Sequence, residues 1–140
     1  MDHRLPRPLI QKVDCVRLYV PDLEAGLAFY RDRLGHPLIW RAESAIGLRL
    51  PGTDAEIVLH TEQRELEVDL KVESADAAAA RFEEAGGKVV AGPFDIQIGR
   101  CVVVRDPWGN EFVLLDARKG LLLSDAQGNV IGNAPPCTGG

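Results

Sequence analysis

The sequence predicts an α+β fold in which two βαβββ modules form a curled mixed sheet around a cup. The spacing of apolar residues gives the order β, α, β, β, β in the first half of the chain and the same order in the second half. A shift of 52 positions places Val16 and Leu18 on Val68 and Leu70. A chain of 140 residues with 46% hydrophobic content suits one domain with a single core. An internal duplication is the simplest explanation of this pattern.

The first module begins with an alternating run over residues 13–20, which predicts a strand with two different faces. Asp22 is a candidate N-cap, and apolar residues at helical spacing predict a helix over 23–34 that ends at Gly35. Short strands are predicted at 38–42, 46–50 and 56–61.

The second module repeats this order. Ser74 is the candidate N-cap of a helix over 75–85 that ends at Gly86, and strands are predicted at 89–91, 99–105 and 111–116. The domain is therefore predicted to cover 10–118, with module one at 10–62, module two at 66–116 and an N-terminal arm at 1–9. Residues 119–140 are expected to form a C-terminal hairpin, around a turn at 125–129, and a loose tail.

Composition excludes several classes of partner. The formal net charge of -5 provides no basic field for nucleic acid or anionic lipid, and no apolar stretch approaches the roughly 20 residues of a membrane helix. The first residues lack the features of a secretory signal, so a cytoplasmic location is expected. Cys15, Cys101 and Cys137 are too far apart for a zinc knuckle and too few for a disulfide framework.

Two motifs resemble those of a known superfamily. They are the run VDCVRLYVPDLEA at 13–25, followed by Phe29 and Tyr30, and the turn DPWGN at 106–110. Together they resemble the glyoxalase, bleomycin-resistance and extradiol dioxygenase proteins, also called the vicinal oxygen chelate superfamily. The resemblance spans about 10–116 and implies paired modules curled around a cup, often with a second chain. A homodimer is therefore expected, because open sheet edges also favour a partner.

The same resemblance implies a metal site that this sequence does not reproduce. The metal enzymes of the family place His, Glu or Gln at four positions, and the matching positions here hold Cys15, Val58, Glu67 and Val113. Two valines offer no donor atom, so no metal cofactor is predicted. The alternative is a divalent metal held by Cys15, His60 and Glu67, with His60 in place of Val58.

The predicted inner face of the cup is unusually polar. Strand parity places on it the side chains of Arg17, Tyr19, Glu56, His60, Glu67, Asp69 and Lys71. They either form a solvated network of ion pairs or meet a polar ligand. In the second case Arg17 would bind an anionic group, with Tyr19 and Asp69 beside it, and Glu67 or His60 would act as acid or base.

Two tryptophans complete the candidate ligand site. Trp40 and Trp108 lie near strand ends or turns, where an indole can stack on a planar ligand or pack against the core. The leading functional hypothesis is a protein that binds a small organic ligand, as in the bleomycin-resistance branch, without the usual catalytic metal. The alternatives are a lyase, isomerase or dioxygenase-like enzyme with an atypical metal or metal-free acid/base site, and a regulatory dimer with a vestigial cup.

Overall fold

The computed structural model describes residues 6–136. The remaining positions, among them Cys137 and parts of the predicted arm and tail, lie outside the described residues. The elements of the first module are β1 (Lys12–Tyr19), α1 (Leu23–Leu27, continued by a π-helical segment Ala28–Arg33), β2 (Leu38–Arg41), β3 (Ala45–Arg49) and β4 (Glu56–His60). Those of the second are β5 (Glu67–Lys71), α2 (Ala75–Glu84), β6 (Lys88–Ile96), β7 (Gly99–Arg105) and β8 (Glu111–Leu115), followed by β9 (Leu122–Ser124) and β10 (Val130–Asn133).

One mixed sheet of eight strands contains both modules, in the order β2-β3-β4-β1-β5-β8-β7-β6. Strands β1 and β4 are parallel, as are β5 and β8, whereas β1 and β5 pair antiparallel where the modules meet. The strand order of module two mirrors that of module one about the β1–β5 pair. This arrangement confirms the predicted α+β fold, with a curled sheet that does not close into a barrel.

The helices cover one face of the sheet and build one apolar core in each module. In module one, Leu27 of α1 packs with Ile46, Leu48 and Leu59 of the sheet. The core of module two consists of small residues of α2 and strand residues, namely Val72, Ala75, Ala78, Ala79, Val102, Val104 and Leu114. Because side chains alternate across a strand, the intervening residues point to the opposite, concave face.

Both helices begin as their sequences predict, but the first one ends differently. The Asp22 carboxylate accepts the amides of Glu24 and Ala25, and the Ser74 hydroxyl accepts the amide of Ala77. The predicted helix over 23–34 is α-helical only as far as Leu27 and then becomes π-helical. The π-helical segment contains no buried residue, and within it only the partly buried Tyr30 packs against the core of module one.

The C-terminal hairpin β9–β10 connects the two modules across the cup. The amide of Arg41 in β2 donates to the carbonyl of Gly128 at 2.6 Å, which attaches the hairpin to the edge of module one. The amide group of Asn133 donates to the carbonyls of Gln97, in the turn between β6 and β7, and of Gly120. The predicted hairpin is therefore confirmed, and it covers part of the cup instead of extending into solvent.

Within residues 6–136, neither helix has the length and apolar character needed to cross a membrane.

Candidate functional site

The concave face holds a cavity of about 590 Å³. Its apolar walls include Ile98, Leu115, Leu121 and Leu122, so the β6–β7 turn and the C-terminal hairpin form part of the enclosure. Its polar lining includes Asp14, Cys15, Arg17, Glu56 and Asp69. The volume lies in the range typical of small-molecule sites, and the mixture of apolar walls with a few polar groups is typical of them as well.

Four side chains where β1 meets β5 form the centre of the concave face, and we call them the central quartet. Cys15 is paired with Asp69 across the two strands, and Arg17 is paired with Glu67. The shift of 52 positions that relates the modules converts the first pair into the second, so the two pairs are related by the internal symmetry of the fold. The same backbone geometry therefore presents two chemically different pairs.

Asp69 is the most unusual member of the quartet. Its side chain is 4% exposed, and its Oδ2 accepts the Cys15 thiol at a donor–acceptor distance of 3.3 Å. Its Oδ1 has no hydrogen-bond partner within residues 6–136. Burial, reinforced by the neighbouring Glu67 carboxyl, raises the pKa of Asp69 to about 8. A carboxyl group in this state can hold or release a proton near neutral pH.

The thiol of Cys15 is kept protonated by the same surroundings. Burial, followed by repulsion from the carboxylates of Asp69 and Asp14, raises the pKa of Cys15 far above its usual range. A thiolate is the form that attacks substrates and binds soft metals. Cys15 therefore acts here as a hydrogen-bond donor to Asp69 and not as a nucleophile.

Two further carboxyl groups flank Cys15, and the sequence had not identified the first of them. The pairing of β1 with β5 shifts register between Val13 and Cys15, so Asp14 occupies a β-bulge and lines the cavity. Glu56 lies beside Cys15 on β4. Burial raises the pKa of both Asp14 and Glu56. In a regular strand Asp14 would share the core-facing side of Val16 and Leu18. A charged residue at such a position was the one sign of a bulge in the sequence.

Trp40 lines the cavity, as predicted for a ligand site, and its position depends on a glycine. Its Nε1 donates to Glu56 Oε1 at 2.6 Å. A Cβ at Gly47, the cross-strand partner of Trp40, would lie 1.9 Å from that nitrogen. Gly47 therefore leaves the space in which the indole lies across the strand and holds Glu56.

The predicted catalytic residues lie at the other end of the concave face and do not line the cavity. Glu67 lies between Arg17, at 3.7 Å, and Arg64, at 3.4 Å. His60 is 2% exposed, and its Nδ1 accepts the amide of Glu62 at 3.2 Å, while its Nε2 has no partner within the described chain. Burial and the nearby arginines Arg64 and Arg17 lower the pKa of His60. The surroundings of His60 therefore favour the neutral imidazole over the charged one.

Two other predicted ligand residues also lie away from the cavity. Tyr19 is 39% exposed at the end of β1, and its ring centroid lies 6.4 Å from that of His60. Trp108 is 83% exposed in the turn between β7 and β8. The backbone amide of Trp108 donates to Asp106, which shapes the turn, but its indole projects from the protein surface. Of the seven predicted site residues, the cavity thus brings together Arg17, Trp40 and Asp69.

The side chains at the family's metal positions do not fit a catalytic metal ion. Val58 and Val113 carry no donor, Cys15 is held as a thiol, and Glu67 is engaged by two arginines. Within residues 6–136, no three His, Cys, Asp or Glu side chains are grouped so as to hold a metal ion. These side chains therefore give no basis for a reaction step through a metal.

Comparisons with known proteins agree with this fold. The model of the glyoxalase-like domain matches residues 14–115. Among solved structures, methylmalonyl-CoA epimerase from Mycobacterium tuberculosis is similar with a TM-score of 0.68 and 22% identity, over 81% of this chain and 93% of the epimerase. A substrate complex of homoprotocatechuate 2,3-dioxygenase from Brevibacterium fuscum gives 0.62 and 26%, over 80% of this chain and 38% of the dioxygenase. A comparison with curated proteins found no match.

The raised pKa of Asp69 predicts that the protein loses stability as pH rises. The folded protein holds this proton until about pH 8, whereas the unfolded chain releases it near the ordinary value of 3.8. The folded state therefore binds more protons between these values, and the stabilisation present at low pH is lost through this window, by at most about 1.4 kcal/mol per pH unit. Asp69→Asn should flatten the slope of unfolding free energy, from urea denaturation, between pH 5.5 and 8.

The control for this measurement is Asp32→Asn, at an exposed helix position whose partner is its neighbour Arg31. This variant should keep the wild-type slope. Equal slopes for Asp69→Asn and wild type would show that Asp69 titrates normally in the folded protein.

Proposed function

The chain belongs to the glyoxalase-like domain family, as its motifs predicted, and from that premise we propose that it binds a small organic molecule in its cup. The observation that supports this proposal is the cavity of about 590 Å³ at the β1–β5 junction, whose lining combines charged groups with apolar side chains. A cavity built in this way buries the apolar body of a ligand and orients it by a few polar contacts.

The proposal places binding in the half of the cup that contains Asp69 and Trp40. The C-terminal hairpin contributes Leu122 and Ser124 to this half, so a ligand there would be enclosed by residues of both modules and of the hairpin. Arg17 contributes as well, although its charge is already shared with Glu67. The sequence suggested that Arg17 binds an anionic group of the ligand. Because its charge is shared with Glu67, we instead propose that the ligand is held mainly through contacts of its apolar surface.

We further propose that this binding does not use the usual catalytic metal of the family. The support is the pair of valines, Val58 and Val113, at two of the four ligand positions, together with the protonated thiol of Cys15. An extradiol ring-cleaving dioxygenase occurs among the structural relatives, but this chain spans only 38% of the length of homoprotocatechuate 2,3-dioxygenase. Its activity is therefore not transferred to this protein.

A second candidate function is metal-free acid/base catalysis in the same cavity. The specific observation in its favour is Asp69, a buried carboxyl group whose pKa of about 8 suits proton transfer near neutral pH and whose Oδ1 is unpartnered within the described chain. An isomerase or lyase could use this group in place of Glu67 or His60. Turnover that falls by about 100-fold or more in Asp69→Asn, with ligand affinity unchanged, would favour this candidate.

A homodimer and a cytoplasmic location both stay predictions. The outer strands of the sheet are β2 and β6, and the hairpin already occupies part of the β2 edge through Arg41. Strand β6 is the edge that a second copy could extend, and it exposes Val90 and Phe94.

Binding in the cup can be tested with Nile red, an uncharged dye whose fluorescence rises in apolar surroundings. Wild-type protein should give saturable fluorescence, because the dye is small enough to enter the cavity. Ile98→Trp, which fills the cavity from the β6–β7 turn without altering the sheet, should weaken the apparent affinity by about tenfold or more.

The matched control adds the same indole at Val90, which is exposed on β6 and does not line the cavity. Val90→Trp should bind Nile red as wild type does. If wild-type protein shows no saturable binding of Nile red, the result contradicts a ligand site in the cup. The same holds if Ile98→Trp binds the dye as tightly as wild type does.

The metal content of protein purified without chelators tests the second part of the proposal. We expect far less than one metal ion per chain, and no rise in the unfolding midpoint when Ni²⁺, Zn²⁺, Mn²⁺ or Fe²⁺ is added, since an ion bound by the native state would stabilise it. Near-stoichiometric metal that is lost in the double variant His60→Ala and Glu67→Ala would contradict the proposal. It would favour the alternative site at Cys15, His60 and Glu67.

A further inference from the structure

We infer that the ligand of the cup carries a flat aromatic ring, which stacks on the free face of the Trp40 indole. This inference rests on the proposed function, because it names the class of molecule that the same cavity accepts. Three observations support it: the indole lies outside both apolar cores, the protein fixes its orientation, and one of its two faces is covered while the other points into the cup.

Trp40 is a large apolar side chain that neither core of the protein uses. The residues on either side of its cross-strand partner Gly47, Ile46 and Leu48, are fully buried in the core on the opposite face of the sheet. Trp40 instead lines the cavity, and it is the one aromatic side chain among the lining residues of the described chain. The indole therefore faces a space of ligand size and not a packed interior.

Strand β2 presents two consecutive apolar side chains to this space. Its pairing with β3 shifts register between Leu38 and Trp40, and both Ile39 and Trp40 line the cavity. In a regular strand these neighbours would point to opposite faces of the sheet. The irregularity in β2 therefore builds an apolar wall of the cup from adjacent residues.

The inner face of the indole rests on Gly47. A Cβ at that glycine would lie 1.9 Å from Nε1 and 2.3 and 2.5 Å from the two carbons bonded to this nitrogen. These similar distances place the Cβ position above the plane of the ring, because a point beyond the ring edge would be much farther from the carbons than from the nitrogen. A strand Cβ projects from its sheet, so the indole lies over β3 and its other face points into the cup.

The edge of the indole is engaged as well. Its Nε1 donates to Glu56 Oε1 at 2.6 Å, and an indole has no further hydrogen-bonding group. Trp40 therefore offers a ligand only its π face. An indole fixed in this way loses little conformational freedom when a ligand binds, and the partner that suits such a face is another ring in offset stacking.

The remaining apolar walls do not select for a flat ligand. Ile98, Leu121 and Leu122 line the cavity from the β6–β7 turn and from the segment of the hairpin that covers part of the cup. Aliphatic side chains gain dispersion contacts with a saturated ring as well as with an aromatic one. Trp40 is therefore the residue that determines specificity for an aromatic ring, and Gly47 is a positioning residue that acts through it.

Two probes that differ only in their ring test this inference, 4-phenylbutan-1-ol and 4-cyclohexylbutan-1-ol, with affinities measured by isothermal titration calorimetry. Comparing the ratio of the two affinities between variants cancels the difference in hydrophobicity of the probes. Trp40→Leu should shift this ratio against the phenyl probe by about threefold or more, because it removes one aromatic pair. Trp108→Leu, the same substitution at an exposed tryptophan outside the cavity, should keep the wild-type ratio.

Gly47→Ala removes the support of the indole without removing the indole itself. The added methyl group would overlap the ring, so Trp40 must move, and the ratio should fall as it does in Trp40→Leu. The control is Gly52→Ala, whose added Cβ would have no atom within 4 Å and which should behave as wild type. A Gly47→Ala protein that folds and keeps the wild-type ratio would contradict this role of Gly47, and if it does not fold, Trp40→Leu still decides the inference.

Tryptophan fluorescence locates the bound ring. The chain has two tryptophans, so Trp108→Leu leaves Trp40 as the single one. A saturating concentration of the phenyl probe should protect its emission from quenching by acrylamide, because the stacked ring covers the free face of the indole.

The outcomes separate this inference from the proposed function. Equal ratios in wild type and Trp40→Leu, in a protein that binds Nile red in the cup, would overturn the inference and leave the proposed function standing. A phenyl probe that binds without protecting Trp40 would do the same. Absence of binding by Nile red and by both alcohols would overturn both.

Discussion

The antiparallel pairing of β1 with β5 is the constraint on which the rest of the structure depends. It joins the two modules into one sheet, and it places Cys15 beside Asp69 and Arg17 beside Glu67 at the centre of the concave face. Each module alone would leave the inner edge of its sheet unpaired. The pairing that completes the sheet is therefore also the step that assembles the site, and a change that weakens one weakens the other.

Enclosure explains the chemistry of this site better than any single contact does. The hairpin β9–β10 and the β6–β7 turn cover the side of the cup on which Asp14, Glu56 and Asp69 lie. Burial is the leading cause of the raised pKa of each of these groups, and of the suppressed ionisation of Cys15. The hairpin thus affects acidity as well as access, because it helps exclude the water that would otherwise stabilise the carboxylates.

The sequence predicted the fold more fully than the site, for identifiable physical reasons. Alternation over β1 correctly separated the core side chains from those of the cup, because period-two patterning survives in a strand with two different faces. It failed at Asp14, where a bulge inserts one residue and turns a carboxylate inward. Strand β6 was predicted only over 89–91, because the Gly92-Pro93 pair resembles a break, whereas an edge strand tolerates proline and continues to Ile96. Closure of the cup by the hairpin depends on long-range contacts that local patterns do not contain.

The central quartet is chemically asymmetric, although the backbone that presents it is repeated. The internal symmetry places Arg17 and Asp69 in equivalent positions, yet one is cationic and the other acidic. On the Arg17 side, the guanidinium forms an ion pair with Glu67, which also engages Arg64. On the Asp69 side, the hydrogen-bond partner is the thiol of Cys15, and burial together with the Glu67 carboxyl raises the pKa of Asp69. A duplicated backbone with unequal charge has thus produced one ion-paired position and one position whose buried carboxyl group keeps its proton to higher pH.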